Sequence, residues 1–148
     1  MSVTVSSSEN TTSSDLYYQI QHFYATQLHY LDSGEIDKWV MTFTQDGVFA
    51  MNSQPQPARG RAAIGKAAGK AAEDLARRGV VQRHWLGMLA LDPHPDGTVR
   101  TRSYALVTET PRGGHAALKL SAVCEDVLVQ GDMGWLVRER QVRRDGLR

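Results

Sequence analysis

The part of the chain beyond residue 79 constrains the fold most. Four runs of β-forming residues follow one another there, separated by short stretches rich in Pro, Gly and Asp. Such stretches form tight turns, and strands joined by tight turns pair as antiparallel hairpins. The sequence therefore predicts a four-stranded antiparallel meander. Its strands are expected at Val80–Leu91, Thr98–Thr110, His115–Gln130 and Trp135–Val142.

The part of the chain before residue 80 is predicted to be mainly helical. Asp15–Asp32 carries apolar residues at a spacing of three to four, which is typical of a helix with one buried face. Glu35–Thr44 is predicted as a second, shorter helix, and Val48–Met51 as a short strand. Arg61–Arg78 is predicted as an alanine-rich helix that ends at Gly79.

This order of elements indicates an α+β domain, with three helices on one side of a curved, mostly antiparallel sheet. Such a sheet tends to leave a deep apolar pocket, which is a common place for a small-molecule site. We expect one domain at residues 15–145. Residues 1–14 are mostly Ser, Thr, Val and Asn and are predicted to be a disordered tail. They lack the basic segment and the apolar core of a leader peptide.

The composition argues against several classes of partner. The formal net charge is +1, with 17 basic and 16 acidic residues, so bulk charge does not indicate binding to nucleic acid or to a membrane surface. No apolar stretch approaches the roughly 20 residues that span a bilayer, and we expect a cytoplasmic protein. The single cysteine, Cys124, excludes an internal disulfide, and the five histidines lack the short spacings of metal sites. No metal and no cofactor are expected.

His84 is the first candidate for chemistry. Strict alternation along its strand places it on one face with Val80, Gln82, Leu86, Met88 and Ala90. Both faces are partly apolar, so we expect the strand to be covered on both sides. An imidazole among apolar neighbours can transfer protons near neutral pH, although a core histidine with satisfied hydrogen bonds explains the same pattern.

Asp32 is the second candidate, because it follows Leu28 by one helical turn and so points near the buried face. Two interpretations are open. The carboxylate bonds the Ser33–Gly34 turn, or it holds the Nδ1 side of His84 and leaves the other ring nitrogen for a substrate.

Charged residues near the C-terminus leave further alternatives. Arginines at this end of the chain indicate a solvated sheet edge, but one of them could turn inward to hold an enolate or phenolate oxygen. They are Arg138, Arg140, Arg143 and Arg144. Three carboxylates, Glu125, Asp126 and Glu139, are not placed by alternation.

Five motifs in order resemble the SnoaL-like branch of the nuclear-transport-factor-2-like superfamily, over roughly Asp15 to Asp145. They are Leu31-Asp-Ser-Gly-Glu-Ile-Asp-Lys-Trp39, Phe43-Thr-Gln-Asp-Gly-Val-Phe49, Gly60-Arg-Ala-Ala-Ile64, Arg83-His-Trp-Leu-Gly87 and Gly134-Trp-Leu-Val-Arg-Glu-Arg140. The resemblance implies a cone-shaped α+β barrel with a hydrophobic cavity, and a homodimer formed through the sheet. The superfamily includes polyketide cyclases, scytalone and bile-acid dehydratases, isomerases, epoxide hydrolases and the non-catalytic β subunits of ring-hydroxylating dioxygenases.

The resemblance also implies roles for particular residues. Asp32 and His84 match the acid-base pair of the dehydratases, and Arg143 falls near an arginine of the bile-acid dehydratases. The tyrosine that those enzymes place near the aspartate is replaced here by Leu31 or Gln27, and a second acid by Val107. Another group must then polarise a carbonyl, with Tyr24, Tyr104 and Arg143 as candidates. The full set of expected substrate contacts is Tyr24, Trp39, Phe49, Met88, Tyr104 and Arg143.

The function predicted from these residues is acid-base catalysis without a cofactor. The chain is expected to be a dehydratase or cyclase that acts on a hydrophobic, oxygenated, aromatic polyketide-type molecule in secondary metabolism, such as antibiotic biosynthesis. The alternative is a non-catalytic binding module or structural subunit, similar to a dioxygenase β subunit.

Overall fold

Helices dominate the first part of the chain and strands the second, as the sequence predicts. The computed structural model describes residues 12–147. In chain order its elements are α1 (Ser13–Asp32), α2 (Ile36–Val40), β1 (Phe43–Met51), β2 (Ala58–Arg59), α3 (Gly60–Arg78), β3 (Val80–Pro93), β4 (Val99–Pro111), β5 (Ala117–Gly131) and β6 (Gly134–Arg144). The two-residue strand β2 was not predicted.

The helix α1 begins two residues before its predicted start. The side chain of Thr12 accepts a hydrogen bond from the backbone N–H of Asp15, which satisfies one of the free donors at the helix start. Ser13 and Ser14 therefore belong to α1 and not to the predicted tail. The rest of that predicted tail, residues 1–11, lies outside the described residues.

The helix α2 is shorter than predicted and β1 is longer. The sequence predicts a helix as far as Thr44, but α2 ends at Val40 and β1 starts at Phe43. Phe43 is completely buried and pairs with Val137 of β6. Burying such a side chain stabilises the fold by about 1.5 to 3 kcal/mol, which exceeds the helix propensity of one residue.

The six strands form one open sheet in the order β2-β1-β6-β5-β4-β3. Strands β3 to β6 are the predicted antiparallel meander, and β1 lies beside β6 in parallel. The sheet curves around the helices but does not close, so β2 and β3 are its edges. This is the predicted fold class.

A bulge in β3 changes which residues face inward. The pairing of β3 with β4 shifts between Gly87 and Ala90, and Met88 adopts a positive φ of 52°. Beyond the bulge Leu89 is buried, whereas Met88 is 78% exposed. The prediction that Met88 shares a face with His84 is therefore wrong, because one extra residue reverses the alternation.

The helices pack against one face of the sheet, called the inner face here, and form the main core with it. The buried apolar members of that core are Ile20, Tyr24, Trp39, Phe43, Ile64, Leu89, Val99, Leu128 and Val137. The opposite, outer face carries exposed side chains. Trp85 on β3 is 69% exposed and Tyr104 on β4 is 53% exposed. The prediction that β3 is covered on both sides is thus wrong for the single chain.

Within residues 12–147, no helix has both the length and the apolar character needed to cross a membrane.

Candidate functional site

Asp32 and His84 meet where the end of α1 lies against β3. The Nδ1 atom of His84 lies 2.6 Å from Oδ1 of Asp32, and the backbone N–H of His84 donates to Oδ2 at 2.9 Å. Both carboxylate oxygens are therefore committed to one residue. The Ser33 turn closes without Asp32, because the backbone N–H of Ser33 donates to the carbonyl of His29.

The second ring nitrogen of His84 is left open. With the carboxylate accepting from Nδ1–H, the neutral imidazole carries its lone pair on Nε2. Nε2 has no hydrogen-bond partner among residues 12–147, and it is not among the fully buried polar atoms that lack one. The side chain of His84 is 21% exposed. The pair thus presents an oriented proton acceptor to accessible space.

An apolar patch on the inner face lies next to this pair, and we call it the inner recess. It consists of Ala105, Ala122, Cys124 and Val142. The side chains packed against the patch come from strands, namely Phe49, Met51 and Leu120, and none comes from a described helix. Three of its four members are small, and all four are buried. On the inner face of β4, Ala105 lies two residues before Val107. Val107 pairs with His84 of β3.

A second group of polar residues borders the recess on the side of β5 and β6, and we call it the buried polar network. Its members are Tyr24, Gln27, Thr101, Asp126 and Arg140, all at most 8% exposed. Asp126 and Arg140 lie on the inner face two residues from Cys124 and Val142, respectively. The recess therefore has polar groups on two sides.

The network is held by short, directional hydrogen bonds. Arg140 donates from Nε to Oδ1 of Asp126 at 2.9 Å and from Nη2 to Oδ2 at 3.0 Å. Its Nη2 also donates to Oε1 of Gln27 at 2.7 Å. Tyr24 donates its hydroxyl proton to Oδ2 of Asp126 at 2.6 Å. Because that proton is used, the Tyr24 oxygen accepts a hydrogen bond from the hydroxyl of Thr101, also at 2.6 Å. A bidentate pair of this kind is strong and fixes both partners.

Electrostatics keep this network in one protonation state at neutral pH. Burial, followed by the neighbouring Asp126 carboxylate, raises the pKa of Tyr24 well above its ordinary value. Burial alone would lower the pKa of the Arg140 guanidinium, but Asp126 outweighs burial and raises that pKa. Tyr24 is therefore a neutral donor and Arg140 a cation.

The structure places three of the predicted substrate contacts on the inner side. Tyr24 belongs to the buried polar network. Trp39 lies in the main core, with its ring centroid 4.9 Å from that of Phe43. Phe49 packs against the inner recess, and its ring centroid lies 5.9 Å from the guanidinium carbon of Arg140.

The other three predicted contacts are not brought together with His84. Met88 and Tyr104 are exposed, and Arg143 forms an ion pair on the outer face with Glu125. Tyr104 and Arg143 point outward because strict alternation on β4 and β6 gives the inner positions to Ser103 and Val142. Neither residue reaches the recess.

Sequence reasoning left Asp126 unplaced and considered Arg140 only as one of four arginines. A signal was available. Counting back from the apolar Val142 in steps of two places Arg140 inward, and counting forward from Ala122 does the same for Asp126. Counting forward from Val137 would wrongly place Glu139 inward, because the pairing of β5 with β6 shifts between Val127 and Leu128.

Residues 12–147 offer few side chains for a metal ion or for a nucleophile. No three His, Cys, Asp or Glu side chains within the described range 12–147 cluster closely enough to hold a metal ion. Cys124 is a free, buried thiol, and burial raises its pKa to about 11. Such a thiol is a poor nucleophile at neutral pH.

Two surface cavities lie away from the Asp32–His84 pair. One, of about 250 Å³, is lined by the outer-face residues Arg100, Glu125 and Glu139 and also by Thr101, Asp126 and Arg140 of the buried polar network. The other, of about 470 Å³, lies beside Tyr18 and Trp135. Neither is lined by Asp32 or His84.

Comparison with known proteins identifies the family. A family model described as a SnoaL-like domain matches residues 12–141. The chain belongs to the SnoaL-like domain family. The resemblance stated from the five sequence motifs is thereby confirmed.

Three solved structures show how far this SnoaL-like domain resembles others. Aln2 from a Streptomyces species is 30% identical, with 92% of this chain and 95% of that chain covered and a TM-score of 0.84. ActVI-ORFA from Streptomyces coelicolor is also 30% identical, with coverages of 91% and 98% and a TM-score of 0.83. A protein from Catenulispora acidiphila, in complex with S-DNPA, is 36% identical, with coverages of 90% and 96% and a TM-score of 0.78. No match was found among curated protein sequences.

Proposed function

We propose that the protein is a cofactor-independent acid-base enzyme, a dehydratase or cyclase, that acts on a hydrophobic, oxygenated, aromatic polyketide-type molecule in the cytoplasm. The hydrogen bond between His84 and Asp32, which leaves Nε2 accessible, is the observation that carries the proposal. The related Catenulispora structure in complex with S-DNPA supports a small-molecule substrate.

His84 performs the first chemical step. Its Nε2 removes a proton from the carbon next to a substrate carbonyl, which gives an enolate and an imidazolium. Asp32 accepts from Nδ1–H, keeps the correct tautomer and stabilises the positive charge. Removing a proton in this way requires no redox partner.

Two outcomes balance after that step. In a dehydration, the imidazolium returns its proton to a hydroxyl on the β carbon, and the carbon–oxygen bond breaks as water leaves. In a cyclisation, the enolate carbon attacks a second carbonyl, and the imidazolium protonates the alkoxide that forms. Both outcomes restore neutral His84.

The proposal is tested by replacing His84 with Gln and measuring turnover of a panel of β-hydroxy ketones and polyketide mimics. General acid-base catalysis contributes about 10²- to 10⁴-fold, so we expect a loss of that size. A His84→Gln protein that turns over a parent substrate at the parent rate contradicts the mechanism.

The chain offers a matched control. His94 also contacts a carboxylate, with Nε2 lying 3.1 Å from Oδ2 of Asp92, but this pair is in an exposed turn. His94→Gln should keep the parent rate. Loss of turnover in both variants would indicate a general effect on the protein.

The alternative role, a non-catalytic binding or structural subunit, predicts a different result. In that role no substrate in the panel is turned over by the parent protein, and His84→Gln changes folding or assembly instead. Denaturation midpoints of the two proteins distinguish these outcomes.

We also propose that the protein forms a homodimer through the outer face of the sheet. Exposed Trp85, Tyr104 and Leu106 form an apolar strip there, with Trp85 directly opposite Leu106 in the ladder. An exposed strip of this kind marks an interaction surface. Sedimentation should show a dimer that becomes monomeric in Trp85→Asp, whereas a monomeric parent protein contradicts the proposal.

A further inference from the structure

Arg140 has hydrogen-bond donors that the fold does not use. A guanidinium carries five N–H groups, and the contacts to Asp126 and Gln27 involve only Nε and Nη2. Nη1 has no acceptor within residues 12–147. Arg140 is only 8% exposed, yet Nη1 is not among the fully buried polar atoms without a partner. Nη1 is therefore not fully enclosed by the described residues.

The surroundings of this donor suit a flat, apolar ligand. The guanidinium carbon lies 5.3 Å from the ring centroid of Phe43 and 5.9 Å from those of Tyr24 and Phe49. Nearby on the inner face of β4, the hydroxyl of Ser103 likewise has no partner among the described residues and is not fully buried. Phe43 and Tyr24 are buried, so Phe49 is the ring of these three that a ligand beside Nη1 can contact. An unused donor beside such a ring is a place where a ligand oxygen can be held.

We propose that Nη1 of Arg140 donates a hydrogen bond to a neutral carbonyl or phenol oxygen at one end of a fused aromatic substrate whose other end lies at His84. This inference rests on the proposed function and names the substrate oxygen that the site recognises. Arg140 is then a binding and orienting residue, and proton transfer stays with His84.

The charge balance of the network decides for a neutral oxygen. Asp126 already neutralises Arg140 through two hydrogen bonds. A substrate carboxylate at Nη1 would bring a second negative charge into a buried site beside Asp126, which is unfavourable. A ketone or phenol accepts the bond without that cost.

The helix α1 connects the two ends of the proposed substrate. Gln27 contacts Arg140 and Asp32 contacts His84, so one helix touches both ends of the recess. Five residues at about 1.5 Å each separate them by roughly 8 Å along the helix axis. A substrate that contacts both ends must extend along α1 in this way.

The test uses the whole protein and three naphthalene probes that differ in one substituent. They are acetonaphthone with an isotope-labelled carbonyl carbon, naphthoate, and methylnaphthalene. We expect the ketone to bind about 10-fold more tightly than either of the others, as one charge-assisted hydrogen bond allows. Its carbonyl resonance should move downfield on binding. Equal affinities, tighter binding of naphthoate, or failure of all three probes to bind would overturn the proposal.

Arg140→Lys is the matched variant, because a lysine keeps the positive charge beside Asp126 but has no Nη1. The affinity of this variant for the ketone should fall to its affinity for methylnaphthalene, and the downfield shift of the carbonyl resonance should disappear. His94→Gln should change neither. Retention of the ketone preference in a folded Arg140→Lys protein contradicts the role of Nη1, and if this variant does not fold, the probe preference of the parent protein decides.

The binding test separates this inference from the enzymatic one. If turnover survives His84→Gln while the ketone still loses affinity in Arg140→Lys, the catalytic proposal fails and the recognition of the oxygen stands. If turnover is lost in His84→Gln but the parent protein shows no ketone preference, the reverse holds.

Discussion

The Asp32–His84 pair and the buried polar network border the same recess, but they use their hydrogen bonds in opposite ways. The pair joins two residues and leaves Nε2 of His84 free. The network joins five residues and leaves little free apart from Nη1 of Arg140. The difference teaches that two polar clusters beside one patch can be built differently, because the pair keeps an accessible hydrogen-bond acceptor whereas the network joins α1, β4, β5 and β6.

Burial explains why the two clusters differ in their energetic roles. A buried charge that loses its partner destabilises a fold by about 3 to 5 kcal/mol, because it cannot regain its hydration. Asp126 and Arg140 are in that position. His84 lies nearer to accessible space, so we expect a changed partner in the Asp32–His84 pair to cost less stability.

The largest effect should come from Asp32→Asn. The amide would not stabilise the imidazolium and would favour the wrong tautomer of His84, so turnover should fall by about 10²- to 10⁴-fold. The denaturation midpoint should stay near that of the parent protein. A large loss of stability with normal turnover would mean that the pair is structural and would remove the contrast with the network.

Asp126→Ala should produce the opposite result. It leaves Arg140 buried without its partner, so the free energy of unfolding should fall by about 3 to 5 kcal/mol in urea titrations. The double variant Asp126→Leu with Arg140→Met removes both charges and should recover most of that loss. If the single and double variants are equally unstable, the charge pair is not what holds this side of the sheet.

The pH dependence of stability should come partly from Cys124, which lies in the recess between the two clusters. Burial favours the neutral thiol and raises its pKa to about 11. The buried neutral thiol therefore contributes its full share of the free energy of unfolding below the ordinary thiol pKa. That share is lost as the pH rises from about 9 to about 11. It amounts to at most about 3 kcal/mol. Denaturation of Cys124→Ala across that pH range should show a shallower fall than the parent protein, and an identical slope would contradict this account.

The smallest effect should come from Met88→Gly at the bulge that separates the His84 segment of β3 from the segment containing Leu89. Met88 holds a positive φ of 52° that glycine adopts without strain. We expect a gain of about 0.5 kcal/mol in the free energy of unfolding. Met133→Gly is the control, because Met133 is fully exposed and is not among the residues with positive φ. It should be neutral or slightly destabilising.

Much of the fold could be predicted from the sequence, because helical spacing, turn residues and alternation are local properties. The meander and the helix ending at Gly79 are examples. The end of α2 could not be predicted in this way, because the burial of Phe43 depends on Val137, which is more than 90 residues away. The same holds for β1 as the parallel neighbour of β6.

The face of β3 on which a residue lies could be predicted before the bulge but not within it. His84 precedes the β3 bulge, so its face was assigned correctly, whereas Met88 lies within the bulge and was not. The network needed partners from α1, β4, β5 and β6 at once. Alternation places Arg140 and Asp126 inward, but no local pattern shows that the two lie opposite each other.

The parallel pairing of β1 with β6 has a consequence for how the protein folds. Strands β3 to β6 connect through short turns and can pair soon after they form, but β1 must close a loop of more than 90 residues to reach β6. Long loops cost more entropy before their contacts stabilise the chain. We therefore expect β1 to dock late. Phe49 lies on β1 and pairs with Arg140, so the aromatic wall beside the guanidinium would be completed in one of the last steps of folding.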